Sequence, residues 1–203
     1  MTSDFYDCSR PIDSSTPVYP GDTPPVVTTR EDMNLSDITM GLHTATHIDA
    51  PLHSFDGAKN LDEIPLDRYV GKCRLLEITG APVITAEHLK AYDLLRDEII
   101  LLKTDNSSKP LGGPFDHSFV GIDKSAADLL VSRGVKTIGI DYNSIENGTK
   151  DVHLTVLGAE MSIIEGLYFR DVPAGEYFIC AAPLRITGVE GAPCRALLFG
   201  LPR

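Results

Sequence analysis

The segment HTATHIDAPLH at positions 43–53 constrains this chain more than any other feature of its sequence. Three of the six histidines fall within it, His43, His47 and His53, and Asp49 lies between them. Alternate side chains of an extended segment share one face, so these four odd-numbered positions are predicted to share a polar face. Imidazole and carboxylate groups are ligands that suit zinc, and also manganese or iron. The segment therefore predicts a metal site.

A straight strand cannot gather these four side chains at one point. At about 3.3 Å per residue, His43 and His53 would lie roughly 33 Å apart. We therefore expect the chain to bend near Ala45 and at Pro51, since proline ends or kinks strands. The even-numbered positions are largely apolar and are expected to pack on the core. The alternative interpretation is a solvent-facing polar strand whose histidines are incidental.

Length, charge and cysteine spacing limit the classes of protein to which this chain can belong. A length of 203 residues suits a single domain, expected to span residues 1–203. The formal net charge of −11 opposes binding to nucleic acid or to an anionic membrane surface. We find no secretory signal and no apolar run near the ~20 residues that a membrane span needs. The cysteines are far apart without CxxC spacing, which favours free thiols in the cytoplasm: Cys8, Cys73, Cys180 and Cys194.

Short runs rich in Val, Ile and Leu predict more strands than helices. The expected strands are 73–79, 98–104, 137–142, 177–182 and 195–200. The expected helices are 85–96, 123–133 and 154–161, the second with Asp123 as N-cap and Gly134 just after its end. Residues 11–25 and 105–117 are expected to be long loops, which are often functional. The pattern predicts a mixed, β-rich α/β fold.

The segment 43–53 resembles the HxGTHxDxPxH signature of the cyclase-family metal-dependent hydrolases, a family that includes arylformamidases and isatin hydrolases. The resemblance continues along nearly the whole chain. YPGDTP at 19–24 is similar to an early WPGDTP loop of that family, and GIDYNS at 139–144 to a GxDxxS strand end. HLTVLG at 153–158 and IIEGL at 163–167 resemble its second metal-binding region, and 183–196 resembles its C-terminal strands.

The resemblance implies a site for two divalent metal ions per subunit, with zinc as the expected metal and manganese as the alternative. By similarity, His43, His47 and Asp49 hold the first ion, and Asp49 bridges to a second ion held by His153 and Glu165. The residues alone leave the last two open. A histidine near a helix start is ordinarily a surface or capping residue, and Glu165 in an apolar run is either a strand-end surface residue or a buried ligand.

The resemblance also implies the reaction. His53 resembles the catalytic histidine of the family, acting as general acid and base while metal-bound hydroxide attacks a carbonyl. Tyr19 matches a substrate-contacting aromatic position. The expected substrate is a small molecule, N-formylkynurenine, hydrolysed to kynurenine and formate in tryptophan catabolism. The alternatives are another small amide, lactam or lactone, such as isatin, or a metal-binding protein without turnover.

The implied fold is a swivelling β/β/α domain, and the implied assembly is a homodimer or a higher homo-oligomer. Two positions depart from the family pattern. Ala45 replaces a glycine, which costs about 1 kcal/mol if the position needs a positive φ and nothing if it needs only a small side chain. Tyr19 replaces a tryptophan, which changes the size and polarity of the substrate pocket and leaves the exact substrate open.

Overall fold

Strands dominate the computed structural model, which describes residues 5–201. The strands are β1 Phe5–Asp7, β2 Val26–Arg30, β3 Leu35–Thr39, β4 His47–Asp49, β5 Val70–Glu77, β6 Ile99–Lys103, β7 Thr137–Ile140, β8 Ser162–Glu165, β9 Gly175–Cys180, β10 Gly191–Pro193 and β11 Leu197–Gly200. The α-helices are α1 Ala86–Leu89, α2 Lys124–Arg133 and α3 Asp151–Gly158. Short 3-10 helices cover Pro51–His53, Leu61–Glu63, Leu66–Arg68 and Asp105–Ser108.

Nine of these strands form one mixed sheet in the order β1-β11-β9-β5-β6-β7-β8-β4-β10. Strands β5 to β8 are parallel, and every other pairing in the sheet is antiparallel. Strands β7 and β8 are buried along their whole length, as is typical of parallel strands covered on both faces. One face packs on α1, α2 and α3 through an apolar cluster that includes Leu89, Leu130 and Val156.

The sheet curls on itself. A second apolar cluster joins Ile48 of β4, Ala192 of β10 and Leu198 of β11, although these strands lie toward opposite ends of the sheet. The amide of Tyr168, after β8, donates to the carbonyl of Cys8, after β1, at 2.9 Å. Both contacts require the two ends of the sheet to approach each other, so β4 and β8 lie beside the chain segments that follow β1.

The predicted strands and helices are present, but α3 lies three residues earlier than the expected helix 154–161 and one other helix is much shorter than expected. All five expected strands are present, with bounds shifted by a few residues. Helix α2 begins after the N-cap Asp123, whose side chain accepts from the Ala126 amide, and ends at Gly134 with φ +73°. The expected helix 85–96 is wrong in extent, because α1 ends at Leu89. The chain leaves the helix so that Leu94 can be buried with the cluster on the helical face.

Strands β2 and β3 form a separate two-stranded hairpin whose residues are all exposed. It follows residues 11–25, which have no regular secondary structure, as expected. The longest helix, α2, has 10 residues. Within residues 5–201, then, no helix has the length and apolar character that crossing a bilayer requires.

Candidate metal centre

The segment 43–53 is bent at the two expected places. Ala45 has φ +58°, and Pro51 begins a 3-10 helix that ends at His53. The expected shared strand face is therefore wrong in detail, since only residues 47–49 form a strand and His43 comes from the turn before it. The bends nevertheless bring the ring centroids of His43 and His53 to 4.3 Å. Of the two alternatives at Ala45, the structure shows the one that requires a positive φ.

Asp49 lies at the centre of the site and contacts three imidazoles. Its Oδ1 is 2.8 Å from Nδ1 of His43 and 3.4 Å from Nε2 of His47. Its Oδ2 is 3.7 Å from Nε2 of His153. Asp49 is almost fully buried, at 1% exposure, so its carboxylate depends on these neighbours for compensation of its charge.

Glu165 enters the site through strand pairing. It is the register partner of His47 in the antiparallel β4–β8 pair, and its Oε2 lies 3.3 Å from Nε2 of that histidine. Its Oε1 lies 3.3 Å from Nε2 of His153, in the first turn of α3, and accepts from the Ile145 amide at 2.6 Å. Glu165 is buried, so of the two alternatives left open by the sequence the structure shows a buried carboxylate among imidazoles.

The hydrogen bonds of His47 decide which of its ring nitrogens can bind a cation. Nδ1 lies 3.0 Å from the carbonyl oxygen of Ala45. A carbonyl oxygen only accepts, so Nδ1 carries the hydrogen and Nε2 is left with its lone pair. That lone pair faces the carboxylates of Asp49 and Glu165. A neutral imidazole oriented by a hydrogen bond at its other nitrogen is typical of metal-binding histidines.

The electrostatics of the site favour positive charge. Burial alone would lower the pKa of His47, but the nearby carboxylates of Asp49 and Glu165 raise it to about 10. Burial would likewise raise the pKa of Asp49, but the charge of His43 and hydrogen bonds from the histidines hold it well below its usual range. The carboxylates therefore stabilise whatever cation lies between them, whether a proton or a metal ion.

A divalent cation fits this set of residues. Among the described residues, three buried atoms here have no hydrogen-bond partner: Nε2 of His43, Nε2 of His47 and Oδ2 of Asp49. An unpaired buried polar atom costs about 1–3 kcal/mol, which coordination would recover. Two groups have ligand atoms within 4.8 Å of one another, His43–Asp49–His53 and His47–Asp49–Glu165, and Asp49 is common to both. Nitrogen and oxygen donors of this kind suit zinc or manganese.

A cavity of about 290 Å³ opens over the site. His53 is exposed on its wall, and burial together with the positive charges of His43 and His153 lowers the pKa of His53 despite the opposing charge of Asp49. The imidazole of His53 is therefore neutral near pH 7 and able to accept a proton.

Aromatic and polar side chains complete the cavity wall. Tyr19 lines it and packs edge-to-face on Phe115, with ring centroids 5.2 Å apart. Asp22 and Lys150 line the same cavity and carry opposite charges. Asn143 also lines it. Its Nδ2 donates to the Pro17 carbonyl at 2.6 Å, and its buried Oδ1 has no partner among the described residues. The cavity therefore offers an aromatic surface and both signs of charge.

All seven residues singled out from the sequence lie at this cavity or directly beneath it. The structure adds Glu146, which had no assigned role. Its buried carboxylate lies 2.6 Å from Nδ1 of His153. Glu146 lies in the loop between β7 and α3 and has no helix or strand periodicity with His153, so the sequence gives no signal of the pairing. His88 caps α1 and His117 is exposed, and neither belongs to the cavity lining or to the groups of metal-ligand atoms.

Comparison with known proteins agrees with this geometry. The family model "Putative cyclase" matches residues 6–147, which include the segment 43–53. The structure of a "potential metal-dependent hydrolase with cyclase activity" is 37% identical, with a TM-score of 0.90 and 98% of each chain covered. A "predicted metal-dependent hydrolase from Bacillus stearothermophilus" is also 37% identical, with a TM-score of 0.85, covering 96% of this chain and 97% of that one.

A more distant similarity extends to isatin hydrolase A from Labrenzia aggregata, bound to benzyl benzoate. It is 22% identical with a TM-score of 0.79, covers 96% of this chain and 92% of that chain, and shows a shared fold alone. The mixed, β-rich α/β fold expected from the sequence is confirmed by these structures. The family match over more than half of the chain and the two relatives at 37% identity lead to one conclusion: the chain belongs to the cyclase family of metal-dependent hydrolases.

Proposed function

We propose that this hydrolase uses two divalent ions to cleave a small aromatic amide, and that its substrate is N-formylkynurenine. The observation that carries the proposal is the convergence of three imidazoles on the buried carboxylates of Asp49 and Glu165 beneath one cavity. We assign His43, His47 and Asp49 to one ion and Asp49, His153 and Glu165 to the other. The central position of Asp49 supports a bridging role. Zinc is the expected metal, and manganese is the alternative.

The bound ions would polarise the substrate carbonyl and lower the pKa of water at the site. Residues of the cavity carry out the remaining steps. His53 accepts a proton from the attacking water as the new C–O bond forms, and donates a proton to the nitrogen as the C–N bond breaks. Tyr19, which packs against Phe115, holds the aromatic ring of the substrate beside these groups. The products are an aromatic amine and formate.

The cavity wall supports an amino-acid substrate that carries an aromatic amide. Tyr19 offers an aromatic surface to a substrate ring. Lys150 and Asp22 complement the carboxylate and ammonium groups of an amino acid.

The first test is hydrolysis of N-formylkynurenine by purified protein, followed through the absorbance of the aromatic amine. We expect turnover that a chelator abolishes and that added zinc or manganese restores. A parallel series with isatin and a small lactone tests the alternatives under the same conditions.

The outcomes separate these substrates. Turnover of isatin or the lactone alone, in protein loaded with metal, would reject N-formylkynurenine and retain the hydrolase. Metal binding without turnover of any compound in the series would favour a protein that binds metal and does not catalyse.

We also propose that the protein is a homodimer in solution, held in part by the β2–β3 hairpin. An isolated two-stranded hairpin is only marginally stable in water. This one exposes apolar side chains along its length: Val26, Val27, Met33, Leu35 and Ile38. Val27 and Ile38 are register partners, so they share one face and form an apolar pair more than half exposed. A partner subunit would cover that pair.

Aspartate at both Val27 and Ile38 is expected to halve the mass measured by light scattering during size-exclusion chromatography. The reason is that the substitutions place two charges in the proposed interface. Leu95→Asp is the matched control, since Leu95 is equally exposed, at 56%, in the loop before β6. A wild-type protein that elutes as a monomer would contradict the proposal.

We propose a cytoplasmic location without a nucleic-acid or membrane partner. The net charge of −11 opposes binding to phosphate-rich surfaces. All four cysteines are free and at least half-buried, which suits a reducing compartment.

A further inference from the structure

Glu146 is a buried carboxylate that lies outside the proposed ligand set. Its Oε1 lies 2.6 Å from Nδ1 of His153. We propose that Glu146 is a positioning residue that holds His153 in the one tautomer and orientation able to bind a metal ion. This inference rests on the proposed function, because it assumes that His153 is a ligand. An ionised carboxylate only accepts, so Nδ1 carries the hydrogen and Nε2 keeps its lone pair.

The lone pair of His153 faces the other proposed ligands. Nε2 lies 3.3 Å from Oε1 of Glu165 and 3.7 Å from Oδ2 of Asp49. If the ring were rotated to present Nδ1 to the site, the carboxylate of Glu146 would lose its 2.6 Å contact. Because Glu146 is itself buried, water could not replace the lost imidazole donor. The contact therefore fixes the ring orientation as well as the tautomer.

Glu146 is held rigidly by the start of α3. Its Oε2 accepts from the Val152 amide at 2.7 Å, and its Oε1 lies 3.3 Å from the His153 amide. The hydroxyl of Thr149 lies 3.3 Å from the same carboxylate. Free amides at a helix N-terminus favour a carboxylate, so Glu146 acts as the cap of α3 and as the partner of the ring. The helix that carries His153 and the group that orients it form one unit.

The segment 144–146 also joins two of the three proposed ligands of the second ion, Glu165 and His153. The Ile145 amide donates to Oε1 of Glu165 at 2.6 Å, one residue before Glu146 contacts His153. The hydroxyl of Ser144 donates to the Glu146 carbonyl at 2.9 Å and stabilises the turn. By contrast, the tautomer of His47 is held by a neutral carbonyl. A carboxylate partner makes the imidazole a stronger donor to a metal ion, so removal of Glu146 should weaken binding at His153.

Zinc affinity, measured by competition with a chromogenic chelator, tests the proposal in the full-length protein. Removal of the outer partner of a metal-binding histidine typically lowers metal affinity by about 10- to 100-fold. We expect a loss in this range for Glu146→Ala at one of the two zinc equivalents. Glu146→Gln, which keeps an acceptor oxygen without the charge, should show a smaller loss.

Two controls separate positioning from a structural role. Asp123→Ala removes the capping carboxylate of the neighbouring helix α2, which contacts no proposed ligand. It should lower the free energy of unfolding and leave zinc affinity unchanged. Glu160→Ala removes an exposed glutamate just after α3 that pairs with Lys59, so it should leave zinc affinity unchanged and alter the free energy of unfolding only slightly.

The possible results distinguish the positioning role of Glu146 from the proposed function of the protein. Zinc binding by Glu146→Ala within about twofold of wild type would overturn the positioning role while leaving the proposed function intact. A reduced zinc affinity in Asp123→Ala equal to that of Glu146→Ala would also overturn it. A wild-type protein that binds neither zinc nor manganese would overturn the proposed function, and this inference with it.

Discussion

His53→Ala is expected to lower kcat by about 10²- to 10⁴-fold while the protein keeps its bound metal, because general acid–base catalysis contributes on this scale. The ring lies on the cavity wall beside His43 and is neutral near pH 7. It can therefore take a proton from water and return one to the leaving nitrogen. Without it, the proposed metal site would remain but this proton transfer would be lost.

Metal content measured beside kcat separates catalysis from coordination, because His53 also lies within reach of His43 and Asp49. Loss of one metal equivalent in His53→Ala would make it a ligand and contradict the catalytic assignment. His88→Ala is the matched control. His88 caps α1 away from the cavity lining, so kcat and metal content should both stay near wild type.

Gly166→Ala is expected to destabilise the protein by more than about 4 kcal/mol, the range reached only by severe packing defects. Gly166 follows Glu165 directly and has φ +67°. A Cβ there would lie 1.9 Å from the carbonyl oxygen of Ala45, which is rigid backbone. Relief would require β8 and the turn before β4 to separate, and that movement would also displace Glu165 from His47.

Urea denaturation measures the effect, and Gly148→Ala is its control. Gly148 also has a positive φ, +90°, but a Cβ there meets nothing within 4 Å. Its substitution should cost only about 1 kcal/mol, the ordinary penalty for a side chain at positive φ. Equal losses of unfolding free energy in the Gly148 and Gly166 variants would show that backbone conformation, and not the contact with Ala45, causes the destabilisation.

Some parts of the fold and of the proposed metal site have a local signal in the sequence and could be predicted from it. Runs such as 98–104 and 137–142 are apolar enough to mark buried strands, and Asp123 with Gly134 marks both ends of α2. The segment 43–53 holds three histidines and an aspartate within eleven residues, so a site there could be predicted without any knowledge of tertiary contacts. Its bends at Ala45 and Pro51 follow from distance alone, since an extended chain could not bring the histidines together.

Other features depend on tertiary structure and have no local signal. Helix α1 ends at Leu89 because Leu94 is drawn into the core, which outweighs the helical propensity of the residues after it. Glu146 and His153 meet across a loop, and the pairing of His47 with Glu165 depends on strand order. Without the family resemblance, His153 and Glu165 would each have kept an ordinary alternative.

The pairing of β4 with β8 has a consequence for the order in which this protein folds. His43, His47, Asp49 and His53 leave the ribosome close together, whereas Glu165 follows more than 100 residues later. Contacts between residues so far apart in sequence are costly in loop entropy and form slowly. The nascent chain therefore carries four of the proposed metal-binding and catalytic groups long before the carboxylate of Glu165 is added. High affinity for metal should accordingly appear only at the end of folding. Metal would then bind tightly only to chains whose sheet has already closed.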